Sequence, residues 1–474
     1  MTYARRDFLA RTAAFGLGFA GLGLLSRRAG GVEHLARRLE GGLLVGPDPG
    51  PYGELIVDPA GLCDLPAGFS YTVISRLGEL MDDGLLVPGK HDGMAAFAGA
   101  NGRTILVRNH EVELRETVLS AWGPRGERLH LTDPAKIYDR GLRDANPACG
   151  GTTTLVFNTK TQQLEKHWLS LAGTVYNCAG GPTPWGSWLT CEESVTGTRD
   201  GAAKQHGWVF EVPARDEVGM ADPVPITGMG RFRHEAVAFD PVTGICYLTE
   251  DMRDGLIYRY LPREASNLRA GGTLQALAVR GRPGYDTRNW KGGPDTSVGT
   301  AMTAEWITLK YVESPEDTLR VEGRAAGAAV FARGEGAWFG THAGDRSFYF
   351  CCTSGGRNEK GQIWRYQPGA NEGKGGADDT GTLTLFVEPR DESLLDNPDN
   401  VTAAPWGDLI VSEDGSGVNH LVGITPGGVP YKLARCPMDG HEWAGACFSP
   451  DGTTMFANIQ GKGLTVAITG PWRR

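Results

Sequence analysis

The chain has no excess of positive charge. Its 47 Lys and Arg stand against 56 Asp and Glu, a net charge of −9 over 474 residues. That excludes the basic footprint of a nucleic-acid-binding protein. Long apolar runs are also missing: beyond Thr12 to Leu25 no stretch is long enough to span a bilayer. Helical periodicity is scarce after that run. No linker divides the chain into independent domains. Two familiar catalytic cassettes, the G-x-S-x-G elbow and the Walker loop, are absent, so neither chemistry is expected here.

The start of the chain points to export. Arg5-Arg6-Asp7-Phe8-Leu9 is a twin-arginine pattern followed by the short uncharged run, without a clean small-x-small cleavage site after Leu25. Residues 1–30 are therefore expected to be a twin-arginine signal region, recognised by that export machinery and directing the folded protein to the periplasm or beyond. Nine cysteines is an odd number. In an oxidising compartment at least one must stay free, pair between chains or bind metal.

Glycine is abundant, at 69 residues, with no collagen period, which favours tight turns between short strands. A repeat gives those strands an architecture. Ile257-Tyr258-Arg259-Tyr260-Leu261-Pro262 returns as Ile363-Trp364-Arg365-Tyr366-Gln367-Pro368, with weaker echoes at Val209 to Pro213 and Leu421 to Pro426. Similar paired strands precede these endings, and a last copy runs from Glu442 to Ala457. Strands recurring at tens of residues with Asp-Pro, Pro-Asp-Gly and Thr-Gly turns predict an all-β propeller of about six blades over residues 45–474. Gly281 to Gly299, Gly369 to Gly381 and Leu129 to Asn146 read as loop insertions over the surface.

The repeat aligns acids. Four strands end in His110-Glu111, Glu192-Glu193, Glu250-Asp251 and Glu413-Asp414. A second set opens the inner strands: Glu235 after His234, Glu335 after Gly334, Asp399-Asn400, and Glu442 after His441. Taken singly these are turn residues or solvated charges. Converging on one channel they repel one another and call for multivalent cations.

The stretch Asn177 to Glu193, NCAGGPTPWGSWLTCEE, places a thiol and two carboxylates on one stiff segment. A thiolate suits a transition metal, and carboxylates suit iron, manganese or calcium. Ala179-Gly180-Gly181 lets backbone approach the metal or substrate closely, or else makes a tight turn. Trp185 and Trp188 read as packing. His234 and His441 point away from the acids that follow them, whereas Arg231 and Arg233 share a face with Glu235 and either bind phosphate or pair with acids.

This segment resembles the signature of the PhoX-type alkaline phosphatases. So do Gly230 to Glu235, Glu250-Asp251, Arg333-Gly334-Glu335-Gly336, Asn397 to Asn400 and the closing Thr469-Gly470-Pro471-Trp472. The resemblance implies a six-bladed propeller holding two ferric ions and two or three calcium ions. It implies hydrolysis of small phosphate monoesters by a metal-bound oxygen. By motif, Cys178 would be the iron thiolate, and Glu193, Glu235, Asp251 and Glu335 the iron or bridging carboxylates. Glu111, Glu192, Glu413 and Asp399 or Asn400 would serve calcium. Arg333, two residues before Glu335 on an extended strand, would hold the phosphate. A monomer is expected. Two other functions fit the residues without iron: a calcium-dependent lactonase or esterase propeller, and a non-catalytic exported propeller stapled by calcium.

Overall fold

A computed structural model describes residues 50–142, 146–340, 344, 346–389 and 393–473. The expected export signal at residues 1–30 lies outside them. Residues 48–474 form one compact unit. Among the described residues no helix is long and apolar enough to cross a membrane.

The architecture is all-β and propeller-like. Sheet A pairs His91–Ala98, Arg103–His110, Gly150–Asn158 and Gln163–Thr174 in order. Sheet B has three strands, Asn177–Pro182, Ser187–Glu192 and Val209–Pro213. Sheet D comprises Pro398–Ala403, Leu409–Glu413, His420–Ile424 and Pro430–Arg435. Sheet E comprises Trp443–Phe448, Thr454–Ile459, Leu464–Thr469 and Ser70–Arg76, so an early strand closes the last sheet.

Sheet C differs from a simple blade, having nine strands. One half runs His234–Phe239, Cys246–Glu250, Ile257–Pro262, Gly272–Val279, and the other Gly334–Gly340, Ser347–Cys352, Gln362–Pro368, Gly381–Val387. Ala301–Thr308 pairs with Gly272–Val279 on one side and with Gly381–Val387 on the other, stitching the halves together. The repeated endings noted in the sequence are the third strands of sheets B, C and D.

The innermost strands are short and buried, because each is covered on both faces by its neighbours. His91–Ala98, Asn177–Pro182, His234–Phe239, Gly334–Gly340, Pro398–Ala403 and Trp443–Phe448 touch in that order, and the last touches the first. Side chains at the second strands reach the inner strand of the next sheet or half-sheet. Asn109 donates to the Cys178 and Ala179 carbonyls at 2.9 and 2.8 Å, Thr249 to Glu335 O at 2.6 Å, Thr353 to Pro398 O at 2.7 Å and Asn458 to Asp92 O at 2.6 Å.

Between sheets B and C the approach is closer still. A Cβ on Gly181 would stand 1.7 Å from Val237 O of sheet C, and within sheet B one on Gly180 would stand 1.9 Å from Leu189 O. These glycines serve strand-to-strand contact, neither a turn nor an approach to ligand. The Gly369 to Gly381 loop is more than surface cover: its Glu372 and Asp379 grip the buried Arg259 guanidinium at 2.6 and 2.7 Å.

Candidate metal centre

Three rings of residues meet at one mouth of the channel, and a local device in each inner strand builds the first of them. Each inner strand carries a β-bulge near its start, where two residues face one on the second strand. A bulge bends the strand and re-aims the side chain at that point. The first bulged residues are Asp92, Cys178, Glu235, Glu335, Asp399 and Gly445. Five of the six are metal-ligand types; at the sixth, a Cβ would lie 2.3 Å from Asp92 O.

The second ring follows the end of each second strand: Glu111, Glu193, Asp251, Thr353, Asp414 and Gln460. The backbone N–H of each donates to the carbonyl of a residue entering an inner strand, at 2.9 to 3.3 Å: Lys90, Tyr176, Arg233, Arg333, Asn397 and Glu442 respectively. Those six form the outer rim. Lys90, Tyr176, Arg333 and Asn397 hold positive φ of 46 to 56°. Left-handed backbone at non-glycine residues is costly and persists where the surroundings enforce it, often at functional sites.

The rings place ligand atoms in four overlapping groups, each within 4.8 Å: Asp92, Glu111 and Cys178; Cys178, Glu193 and Glu235; Glu235, Glu335 and Asp399; Asp399, Asp414 and Glu442. Shared members make the groups one continuous chain. Asp251 joins it through Arg333, whose Nε and Nη2 donate to its carboxylate at 2.8 and 2.9 Å. Arg333 Nη2 also stands 2.6 Å from Glu335 Oε1, a charge contact without hydrogen-bond alignment. Gln460 Nε2 donates to both Asp92 and Glu111 at 2.6 and 2.8 Å.

The electrostatics suit a cation. Burial, then the Glu335, Asp399 and Asp92 charges, push the Glu235 carboxyl well up against the pull of the Cys178 thiol, and among the described residues both its oxygens are buried without a well-aligned hydrogen-bond partner. Burial, then Asp251 and Glu235, raise Glu193. Burial raises Glu111 to about 8 against the pull of Lys90, and burial with Asp414 raises Asp399 to about 7. The Cys178 thiol is pushed up by burial and then by Asp92 and Glu235. Asp251 is the exception: burial would raise it, but the bonds and charge of Arg333 hold it below the usual range. Like charges packed this way ionise together only when cations neutralise them. The donor set around Cys178 mixes sulfur and carboxylate, which fits a transition metal, while Asp399, Asp414 and Glu442 offer oxygen alone, which fits calcium.

Of the residues singled out in the sequence, Cys178, Glu193, Glu235, Glu335, Asp399 and Glu111 stand in this chain, with Asp251 and Arg333 against it. Glu192 and Glu413 do not. Glu192 accepts from the amides of Val175, Gly207 and Trp208 and bonds His206 Nδ1 at 2.6 Å. Glu413 bonds the Asp396 and His420 amides, His420 Nδ1 and Lys432 Nζ. Asn400 holds Asp399 Oδ1 at 3.1 Å and takes the Gly445 N–H at 2.6 Å.

Arg231 is spent on the carbonyls of His206, Ser314, Pro315 and Val195. Trp188 is buried with its Nε1 on Asn109, and His234 lies stacked on Phe232. Asp92 was missed in the sequence. Its only signal is His-Asp-Gly opening the strand that pairs with His110, the same place that Cys178 and Glu235 hold in their strands.

An all-β ring that gathers a thiol and a continuous chain of carboxylates at one mouth defines a metal-dependent propeller enzyme. The chain belongs to the alkaline phosphatase PhoX family, whose sequence model matches residues 50–463, and it is a phosphatase of that family. Among solved structures it is similar to Pseudomonas fluorescens PhoX in complex with vanadate, a transition-state analogue. The identity is 20%, the TM-score 0.63, and the match covers 86% of this chain and 96% of that one. Weaker likenesses include a Xanthomonas campestris gluconolactonase (12% identity, TM-score 0.40, 89% of this chain and 98% of that one) and the Staphylococcus aureus virginiamycin B lyase (11%, 0.36, 85% and 99%). No curated protein matches the chain.

Proposed function

We propose that this phosphatase hydrolyses small phosphate monoesters at a mixed iron and calcium centre in the mouth of a six-bladed propeller. The blade count takes sheet C as two blades joined by Ala301–Thr308. Cys178, Glu193, Glu235, Asp251 and Glu335 would hold the iron pair. Asp92 and Glu111 on one side, and Asp399, Asp414 and Glu442 on the other, would hold calcium. When bound, such cations supply Lewis acidity at the phosphoryl group and offset its charge.

The chain's own residues do the rest. Arg333 keeps Asp251 and Glu335 in place. Arg233 shares a face with Glu235 and lines, with Glu193 and Tyr176, a cleft of about 420 Å³ beside the acids. Its Nε is buried and has no partner among the described residues, so its charge is available to the ester's phosphate. Glu113, Arg115, Ser194, Thr196 and Asp200 give the rest of the cleft polar groups beside the apolar Leu114 and Val175, which suits an alcohol with both polar and apolar parts. Export through the twin-arginine route, a periplasmic or extracellular site of action and a monomeric state complete the reading.

One observation carries it: Glu235, buried with neither oxygen in a well-aligned hydrogen bond among the described residues, links the thiol-bearing half of the chain of acids to the all-oxygen half. The test is elemental analysis and a visible spectrum of natively exported protein, with phosphomonoester hydrolysis measured before and after calcium chelation. Iron with calcium, a sulfur-to-iron absorption band lost in Cys178→Ala, and activity lost on chelation are expected. Colourless, iron-free protein without phosphomonoester hydrolysis after calcium loading would overturn the mixed centre in favour of a calcium-only propeller.

A further inference from the structure

Two cysteines away from the metal centre face each other across a strand pair. Asp64 and Arg435 exchange both backbone hydrogen bonds, at 2.9 and 3.0 Å, as an antiparallel bridge. Their side chains lie on one face, where the Arg435 guanidinium meets Asp64 Oδ2 at 2.5 Å. In an antiparallel pair the residues next to a hydrogen-bonded couple stand directly opposite each other with their Cα atoms about 4.5 Å apart, and they point to the other face. Here those residues are Cys63 and Cys436. That separation lies within the range a disulfide bridges, about 4.4 to 6.8 Å. Both thiols are buried in the same apolar cluster, with Leu65, Leu433 and Trp443. Each is near enough for the charge of one to act on the other. Among the described residues one other pair of cysteines meets across a ladder, Cys191 standing opposite the bulge that carries Cys178, and Cys178 belongs to the metal centre.

We propose that Cys63 and Cys436 are a redox staple, closing to a disulfide when the protein meets a disulfide oxidant. One thiolate attacks the oxidant's disulfide and releases its first thiol. The second thiolate then attacks the mixed disulfide and releases the other. In total the two cysteines give up two protons and two electrons, and the oxidant is reduced to two thiols.

The staple joins the leading segment to the fourth strand of sheet D. Beyond the packing of Tyr52 and the hydrogen bonds of Asp58, that segment pairs only through two-residue strands at Leu55–Ile56 and Leu65–Pro66, the kind of short edge that opens locally and admits a reagent to buried sulfur. The covalent loop would enclose all of sheets A to D and the Ser70–Arg76 strand of sheet E, since Asp64 and Arg435 are 371 positions apart. A bridge across so long a loop has the largest entropic leverage on the unfolded chain. The staple is independent of the phosphatase reading.

The test uses the full chain, incubated with oxidised glutathione, then denatured and alkylated without reductant. Two fewer alkyl groups than in the reduced protein are expected, and peptide mapping should find Cys63 joined to Cys436. The oxidised protein should melt above the reduced one by more than about 5 °C. Cys63→Ser and Cys436→Ser should each abolish both the bridge and the shift. Full alkylation after oxidation, or a bridge between other cysteines, would overturn the proposal. The mapping on unmutated protein decides even if a serine variant misfolds.

Discussion

Glu192 and Glu193 are adjacent in the chain and have opposite jobs. Glu192 turns into its blade, where three amides and His206 saturate it. Glu193 turns to the mouth, where it meets Cys178 and Glu235. The same split separates Glu413 from Asp414, and Glu250, bonded to Leu256 N and Tyr258 Oη, from Asp251. At the ends of these three second strands the first residue clips the blade together and the second serves the channel. Period-two alternation sorts them, so charge alone does not mark function in this fold.

Breaking the channel side should have the largest effect on activity. Glu235→Gln removes the charge that links the two halves of the acid chain while keeping its volume. Phosphomonoester turnover should fall by at least about 100-fold, the scale at which even indirect supports of a metal site act. Metal content should drop with it, while the melting temperature of the metal-free protein stays level or rises, because a repulsive buried carboxylate is gone. A Glu235→Gln protein that keeps its metals and turnover would remove this residue from the centre.

Breaking the blade side should do the reverse. Glu192→Gln presents an NH₂ group toward amides that are themselves donors and strips His206 of its closer acid. Removing one partner of a buried ion pair costs about 3–5 kcal/mol. Chemical denaturation should show a loss of that size, with metal content per folded molecule unchanged. Loss of metal without loss of stability would place Glu192 at the mouth after all.

This contrast also explains what was legible in the sequence. The repeat, the all-β class and the acid pairs were visible because strands of a propeller mark themselves with turns and endings. The convergence of the acid pairs and of Glu235 and Glu335 on one mouth followed from matching positions in that repeat, while the iron role of Cys178 and the choice of Glu193 came from the family resemblance. Which acid of a pair faces the channel was not legible, since it depends on register and on a bulge that leaves no mark of its own in the sequence. Asp92 escaped for the same reason, having no acidic neighbour before it. The pairing of Ser70–Arg76 with Leu464–Thr469 was invisible, because residues at opposite ends of a chain leave no local signal of contact.

The rim allows a finer comparison between two arginines, each two residues before a bulged glutamate. Arg333 is bound to Asp251 and Glu335, whereas Arg233 has no ion-pair partner among the described residues. Arg233→Met should lower kcat/KM for phosphomonoesters by about 10- to 100-fold, the worth of a hydrogen bond to a charged group. Inhibition by vanadate should weaken in parallel, with metal content intact. Arg333→Met should instead disturb the metals, since it releases two of their carboxylates.

The smallest effect expected is the pH response of the blade clip, and its sign is fixed by the shifts. Burial alone would lower His206, but the Glu192 charge and the bonds to Asp139 and Glu192 raise it to about 9. Burial alone would raise Asp139, but His206 and the amides of Gly141, Lys204 and Ala203 hold it at about 2. A raised histidine contributes its stability fully below its unfolded value of about 6.5 and loses it as pH climbs through 9. A depressed aspartate contributes above its unfolded value of about 3.9 and loses it as pH falls through 2. The clip is therefore strongest between about pH 4 and 6.5 and fades toward pH 9. Thermal melts of the wild type and His206→Gln should differ most in that window and converge as pH rises to 9 and beyond. A gap that is flat from pH 5 to 10 would mean that His206 is held neutral, by shape and hydrogen bonding rather than by charge.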